Sequence, residues 1–235
     1  MKQIISLLLL ISLTNCVTSK SLSLPKNFSL NQKRVILITG EKPVFLAVIP
    51  KNMSVLYPRS TGTKEIGKII VKENKIDDPA ILLLPDLSKY LEDKYSSKIV
   101  GKKLNGIESD QKLYSKDESA LLEEKEVKKI SSDYYGQADY VLGIKTIRWG
   151  FVTLPFNEKE YAVIYHLNLK LIDLNSKKVI LEKVCSANNF PVNHYSYEEL
   201  LGHKAKLMKS VFEKVANYCS NELKKEITNL QNFKK

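Results

Sequence analysis

YAVIYHLNLKLID, residues 161–173, is the stretch on which the fold turns. Tyr161, Val163, Tyr165, Leu167, Leu169 and Leu171 fall on one side, while His166, Asn168 and Lys170 fall on the other. Side chains alternate across the two faces of a sheet, so this pattern predicts a long strand with one face in the core. Asn175, Ser176 and Lys177 supply turn chemistry, and the run from Val179 to Leu181 continues to Cys185. That order predicts an antiparallel hairpin.

Working outward, residues 140–151 alternate in the same way, and RVILIT (34–39) is apolar almost throughout before Gly40. An apolar run without alternation suits a strand buried on both faces. Val44 to Ile49 is a second such run between prolines. Asp78 followed by Pro79 marks a helix start, because proline is tolerated in the first turn. Pro85 predicts a kink or restart, after which Leu87, Tyr90, Leu91 and Tyr95 hold helical spacing. Ser115 to Glu118 reads as a capping box, with a stripe through Leu122, Val127, Ile130 and Tyr134 that Gly136 stops. A second capping box, Ser196 to Glu199, opens a long helix. Its stripe is Tyr197, Leu200, Leu201, Met208, Val211, Phe212, Val215, Cys219, Leu223 and Ile227. These elements predict one α/β (α+β) domain over residues 33–235. A mixed sheet with an antiparallel second half carries packed helices, including the long C-terminal one.

The amino terminus predicts where the protein works. Residues 1–15 carry one charge, Lys2, before an apolar run from Ile4 to Leu13. As a helix this run spans about 15 Å, half the hydrocarbon core, so it reads as a signal peptide rather than a membrane span. Leu13, Thr14, Asn15 and Cys16 resemble the lipobox of bacterial lipoproteins, although Asn15 stands where Gly, Ala or Ser is usual. The resemblance implies that Cys16 is the lipid attachment site. Its thiol takes a diacylglycerol as a thioether, and its amine, freed by cleavage, takes a further acyl chain such as palmitate. Each buried methylene contributes about 0.8 kcal/mol, and two or more chains anchor stably. Val17 after the cysteine, rather than Asp, implies the outer membrane. Cleavage by a general signal peptidase after 17–19 would instead leave a soluble secreted or periplasmic protein. Residues 16–32, polar and rich in serine, read as the lipidated cysteine and a flexible tether.

Charge and cysteine content agree with export. The 235 residues carry a formal charge of +11, but only three of the 37 basic residues are arginine: Arg34, Arg59 and Arg148. Phosphate and base readers lean on the arginine fork, so a lysine excess spread along the chain argues against nucleic acid as a partner. After Cys16 only Cys185 and Cys219 remain, an even pair that predicts a disulfide in an oxidising compartment. Two separately buried thiols are the alternative. A metal site with His194 and His203 lacks any CxxC or HxxxH spacing, and neither a metal nor a cofactor is expected.

Several motifs are tempting and fail on chemistry. Gly62 to Lys68 nearly spells a P-loop, but Ile69 stands where a Mg²⁺-holding Ser or Thr is needed, and Ile69, Ile70 and Val71 favour strand. His166, His194 and His203 belong to no HExxH or G-x-S-x-G context. Asp77 with Asp78, and Glu123 with Glu124, read as capping or surface pairs. Trp149 and the many tyrosines read as core, with an exposed recognition patch as the alternative.

The segments holding Ala138 to Gly143, Trp149, Tyr161 to Tyr165 and Leu171 to Val179, with Cys185 and Cys219, resemble a group of uncharacterised bacterial envelope lipoproteins. Many of these have an α/β domain similar to the amino-terminal domain of TolB. The resemblance implies a non-catalytic part of an envelope assembly that works through protein contacts. The expectation is therefore a lipid-anchored interaction or assembly module at the periplasmic face of the outer membrane. It would have an envelope protein partner and no small-molecule ligand. The alternative is a periplasmic or secreted hydrolase acting on cell-wall or lipid substrates.

Overall fold

The computed structural model describes residues 19–20, 28–49, 63–107, 124–154, 156–186 and 194–232. Seven strands form one mixed sheet: β1 (Ser19–Lys20), β2 (Arg34–Gly40), β3 (Leu46–Ala47), β4 (Lys98–Ile107), β5 (Tyr140–Leu154), β6 (Asn157–Asp173) and β7 (Lys178–Ser186). The spatial order is β1-β7-β6-β5-β2-β4, and β3 pairs with the far part of β5. β5, β6, β7 and β1 pair antiparallel, whereas β2 runs parallel to both β4 and β5. The fold is thus the expected mixed α/β domain with an antiparallel second half.

Helices α1 (Thr63–Asn74), α2 (Pro79–Tyr95) and α4 (Tyr197–Asn232) cover one face, and α3 (Glu124–Asp133) lies on the other. The alternation in β6 decides this division. Tyr161 through Leu171 at odd positions enter the larger core with Leu83, Leu87, Met208 and Phe212. Ile172 enters the smaller core with Val127 and Ile130 of α3. β2 is buried on both faces, sending Val35 and Leu37 to the first core and Ile36 and Ile38 to the second.

Several expectations need correction. Residues 69–71 are helical, because Ile66 and Ile70 stand four apart and bury one stripe, and packing overrides β-branched propensity. Pro85 does not restart α2: it lies exposed on the solvent side, where water can serve the carbonyl it leaves unbonded. The apolar run at 44–49 yields only the two-residue β3. Phe28 and Leu30, inside the stretch expected as a tether, are buried at 1% and 0% exposure, so the packed domain takes in residues ahead of 33.

The helix starts agree with the capping chemistry. Asp78 caps α2, its side chain accepting from Ala80 N at 2.9 Å. Ser196 and Glu199 form a reciprocal box, with Ser196 N donating to Glu199 Oε2 at 2.7 Å and Glu199 N to Ser196 Oγ at 3.2 Å. The Ser115–Glu118 box lies outside the described residues. α4 contains a turn that the sequence did not announce. Gly202 is extended, and His203, Lys204 and Ala205 take left-handed φ of 51°, 57° and 55° before the helix resumes.

Candidate functional site

Where the second half of α2 crosses the end of α4, an open depression of about 500 Å³ is lined by Asp86, Lys89, Tyr90, Asp93, Lys94 and Lys224. Tyr90 is its hub. Its hydroxyl donates to the Lys224 carbonyl at 2.9 Å and shares a 2.7 Å hydrogen bond with Thr228 Oγ1. The Lys94 and Lys224 ammoniums stand 5.4 and 5.6 Å from the Tyr90 ring centroid, within cation–π range. Lys94 Nζ also donates to Thr228 Oγ1 at 2.8 Å.

Asp86 fixes the other side. Lys224 Nζ and Ser220 Oγ both donate to its Oδ2, at 2.6 and 2.5 Å. Partial burial pushes the Asp86 carboxyl up, but these two hydrogen bonds together with the charges of Lys224 and Lys89 outweigh it and hold it below the usual carboxylate range. Burial and the Tyr90 hydroxyl push the Tyr95 phenol up to about 12, so it remains a neutral donor at physiological pH. The groove thus presents ammonium groups over a phenol ring between carboxylates, held by α2 and α4. Such a surface suits recognition of a polar, charged partner. Tyr90 and Tyr95 were legible only as members of an apolar stripe; nothing in the sequence placed Lys224 and Thr228 beside them, 134 and 138 positions away.

A second polar cluster is buried. Asp78, 3% exposed, accepts from Thr146 Oγ1 at 2.5 Å beside the fully buried Tyr165. Burial raises the Asp78 carboxyl against the pull of these hydrogen bonds and of Lys42, and it raises the Tyr165 phenol well above its ordinary value. Lys42 caps the assembly: Nζ donates to the Ile76 carbonyl at 2.9 Å and lies 4.5 Å from the Trp149 ring centroid. Trp149 is core, as expected, with Nε1 donating to the Pro43 carbonyl at 2.8 Å. On the α3 face, Lys170 pairs with Glu182 at 3.2 Å and Lys145 with Glu126 at 3.3 Å.

Of the residues singled out by sequence, Cys185 and Cys219 are joined by a disulfide that ties β7 to α4, with Cα atoms 5.8 Å apart. Cys16 lies outside the described residues. The three histidines stay apart: His166 sits on the second face of β6, His194 meets Glu160 at 3.2 Å, and His203 lies in the left-handed turn. Among the described residues no cluster of three His, Cys, Asp or Glu could hold a metal. In the P-loop-like segment, Gly67 serves packing, since a Cβ there would stand 1.9 Å from the Phe45 carbonyl oxygen.

No family model and no curated protein matches the sequence. Among solved structures, the chain is similar to a DUF330 protein from Xanthomonas campestris (11% identity, 88% of this chain and 91% of that chain, TM-score 0.41). It is similar to a neuraminyllactose-binding hemagglutinin homolog from Helicobacter pylori (18%, 85% and 87%, TM-score 0.35). It is also similar to lipoprotein GNA1162 from Neisseria meningitidis (13%, 78% and 99%, TM-score 0.28). All three are bacterial and one is by name a lipoprotein; none is TolB, and at these scores the likeness assigns no function.

Proposed function

We propose that the chain is a lipid-anchored bacterial envelope protein. It acts as a non-catalytic interaction or assembly module at the periplasmic face of the outer membrane, where another envelope protein docks in the Tyr90 groove. The observation that carries the location is the Cys185–Cys219 disulfide, buried at 2% and 0% exposure. Such bridges form and persist in oxidising compartments. It supports the reading of residues 1–15 as a signal peptide followed by a lipidated Cys16. Kinship with the envelope lipoproteins that carry a TolB-like domain belongs to the same proposal. It rests on the Trp149 strand, the Tyr161 strand with its Leu171–Asp173 ending, and the cysteine pair.

The groove supports the interaction role. Lys94 and Lys224 are held in place by Tyr90, Thr228 and Asp86 rather than spent on core packing. Among the described residues no helix is long and apolar enough to cross a membrane. Replacing Cys16 by Ala tests the anchor. The wild-type chain should incorporate labelled palmitate and sediment with outer membranes, and C16A should do neither. Membrane recovery of unlabelled C16A would overturn the reading.

A further inference from the structure

We propose that the partner brings a carboxylate to the Tyr90 groove, an Asp or Glu on an acidic surface segment, and that Lys94 receives it. This rests on the reading of the groove as the docking site. Lys94 is exposed, yet its ammonium is fixed in place. Nζ donates to Thr228 Oγ1 at 2.8 Å and lies 5.4 and 5.8 Å from the Tyr90 and Tyr95 ring centroids. The two rings stand nearly perpendicular, at 88°, with their centroids 5.8 Å apart. An ammonium has three N–H groups, and the bond to Thr228 uses one of them.

This lysine is held without a counter-charge. Lys145, Lys170, Lys183 and Lys224 each stand within 3.3 Å of a carboxylate oxygen. Lys94 pairs with no carboxylate among the described residues. Asp86, Tyr90 and Lys94 repeat every four residues along α2, and they meet Ser220, Lys224 and Thr228, which repeat every four along α4. At the Asp86 end this ladder is complete within the chain, because Lys224 and Ser220 take the carboxylate. At the other end it stops at an ammonium that lacks its anion.

Covering such a group sets the partner's chemistry. An ammonium removed from water without an anion carries a desolvation penalty that apolar contacts do not offset. A carboxylate removes that penalty. The lysine is already ordered by Thr228 and the two rings, so pairing costs it little further rotamer freedom. Lys89, exposed in the same lining, adds to the attraction. Asp93, also exposed there, decides against an anionic bilayer as the occupant. A continuous layer of headgroups would press on Asp93 as well as on the lysines, whereas one Asp or Glu side chain meets Lys94 alone. Complementarity of this discrete kind selects a protein surface.

Two crosslinks, made on the full lipidated chain in isolated native envelopes, separate this inference from the docking it rests on. With Lys89→p-benzoylphenylalanine, irradiation captures whatever lies in the groove and so reports docking. On the unaltered chain, a carbodiimide joins a lysine amine only to a carboxylate in direct contact. Mass spectrometry should then find Lys94 in an isopeptide bond to an Asp or Glu of the photocaptured protein. Lys94→Gln in the photoprobe chain should lower the captured yield severalfold, and Lys94→Arg, which keeps the charge, should retain it. Photocapture of a protein with no isopeptide from Lys94, or with a yield that Lys94→Gln leaves unchanged, would overturn the carboxylate contact and leave the docking standing. An isopeptide to a second copy of this chain would overturn the envelope partner. Capture of lipid alone, or no capture and no isopeptide, would overturn both.

Discussion

The Thr146 hydroxyl donates to the buried Asp78 carboxylate at 2.5 Å, fastening the first turn of α2 to the middle of β5. The same carboxylate oxygen accepts from Ala80 N, so one atom both caps a helix and docks it on the sheet. Burial raises its pKa above the unfolded value of about 3.9. The folded state therefore holds this proton more tightly than the unfolded chain. The group's stabilising contribution is complete below the unfolded pKa and is lost as pH rises through the folded one. Asp78→Asn keeps a capping oxygen without the buried charge. It should match or exceed the parent stability at pH 7 in urea unfolding, and its stability should vary less with pH in the acid range. Asp78→Ala should lose about 1–3 kcal/mol. An Asn variant as unstable as the Ala variant would show that the charge itself is needed.

That helix start was legible in the sequence because its signal is local: an acceptor at the cap followed by proline. The faces of β6 were legible for the same reason, since alternation is a property of consecutive residues. Pairing is not local. Nothing in RVILIT says that β2 inserts between β4 and β5, only that it is buried on both sides. β4 reads as polar because it is an edge, with Lys98, Lys102 and Lys103 exposed along it, a composition that discourages pairing with other chains. The Tyr90 groove joins α2 to α4 across more than 130 residues, so its members could be ranked as helix surface but not assembled.

Gly150 sits where β3 and β5 approach most closely. Its φ is +139°, and a Cβ would stand 1.9 Å from the Leu46 carbonyl oxygen. Gly150→Ala combines an unfavourable backbone with a clash against main chain, and should destabilise by more than about 4 kcal/mol. Gly136, at φ +77° with nothing within 4 Å, provides the contrast. Gly136→Ala should cost only the left-handed backbone term, about 1–2 kcal/mol. Equal losses in thermal unfolding would show that the close approach of β3 does not matter.

The left-handed turn in α4 is held by three non-glycine residues, each at a cost of about 1–2 kcal/mol. Lys204 is exposed, so its side chain can be removed without opening the core. Lys204→Gly relieves that backbone cost and gives back about 0.5–1 kcal/mol in chain entropy. A net gain of about 0.5–1 kcal/mol is expected in urea unfolding. A loss would mean that the lysine has a contact worth more than the backbone term.

The disulfide closes 34 positions of chain between β7 and α4. In the chain-entropy model a loop of that length stabilises the fold by about 4 kcal/mol. A domain typically has only about 5–15 kcal/mol in total, so the bridge is a large share. Both cysteines are sealed, Cys219 at 0% exposure against Phe212 and Leu223 in the same core. A reductant cannot reach the sulfurs without opening of the fold. Dithiothreitol alone should therefore reduce the bridge slowly, and rapidly once urea is near the midpoint. The double variant Cys185→Ala, Cys219→Ala, measured by urea unfolding beside the oxidised parent, should be less stable by about 4 kcal/mol. Its loss should equal that of the reduced parent to within the small volume change at the two positions. If the variant is as stable as the oxidised parent, the bridge adds nothing to the fold. An oxidising compartment would then lose its strongest structural support.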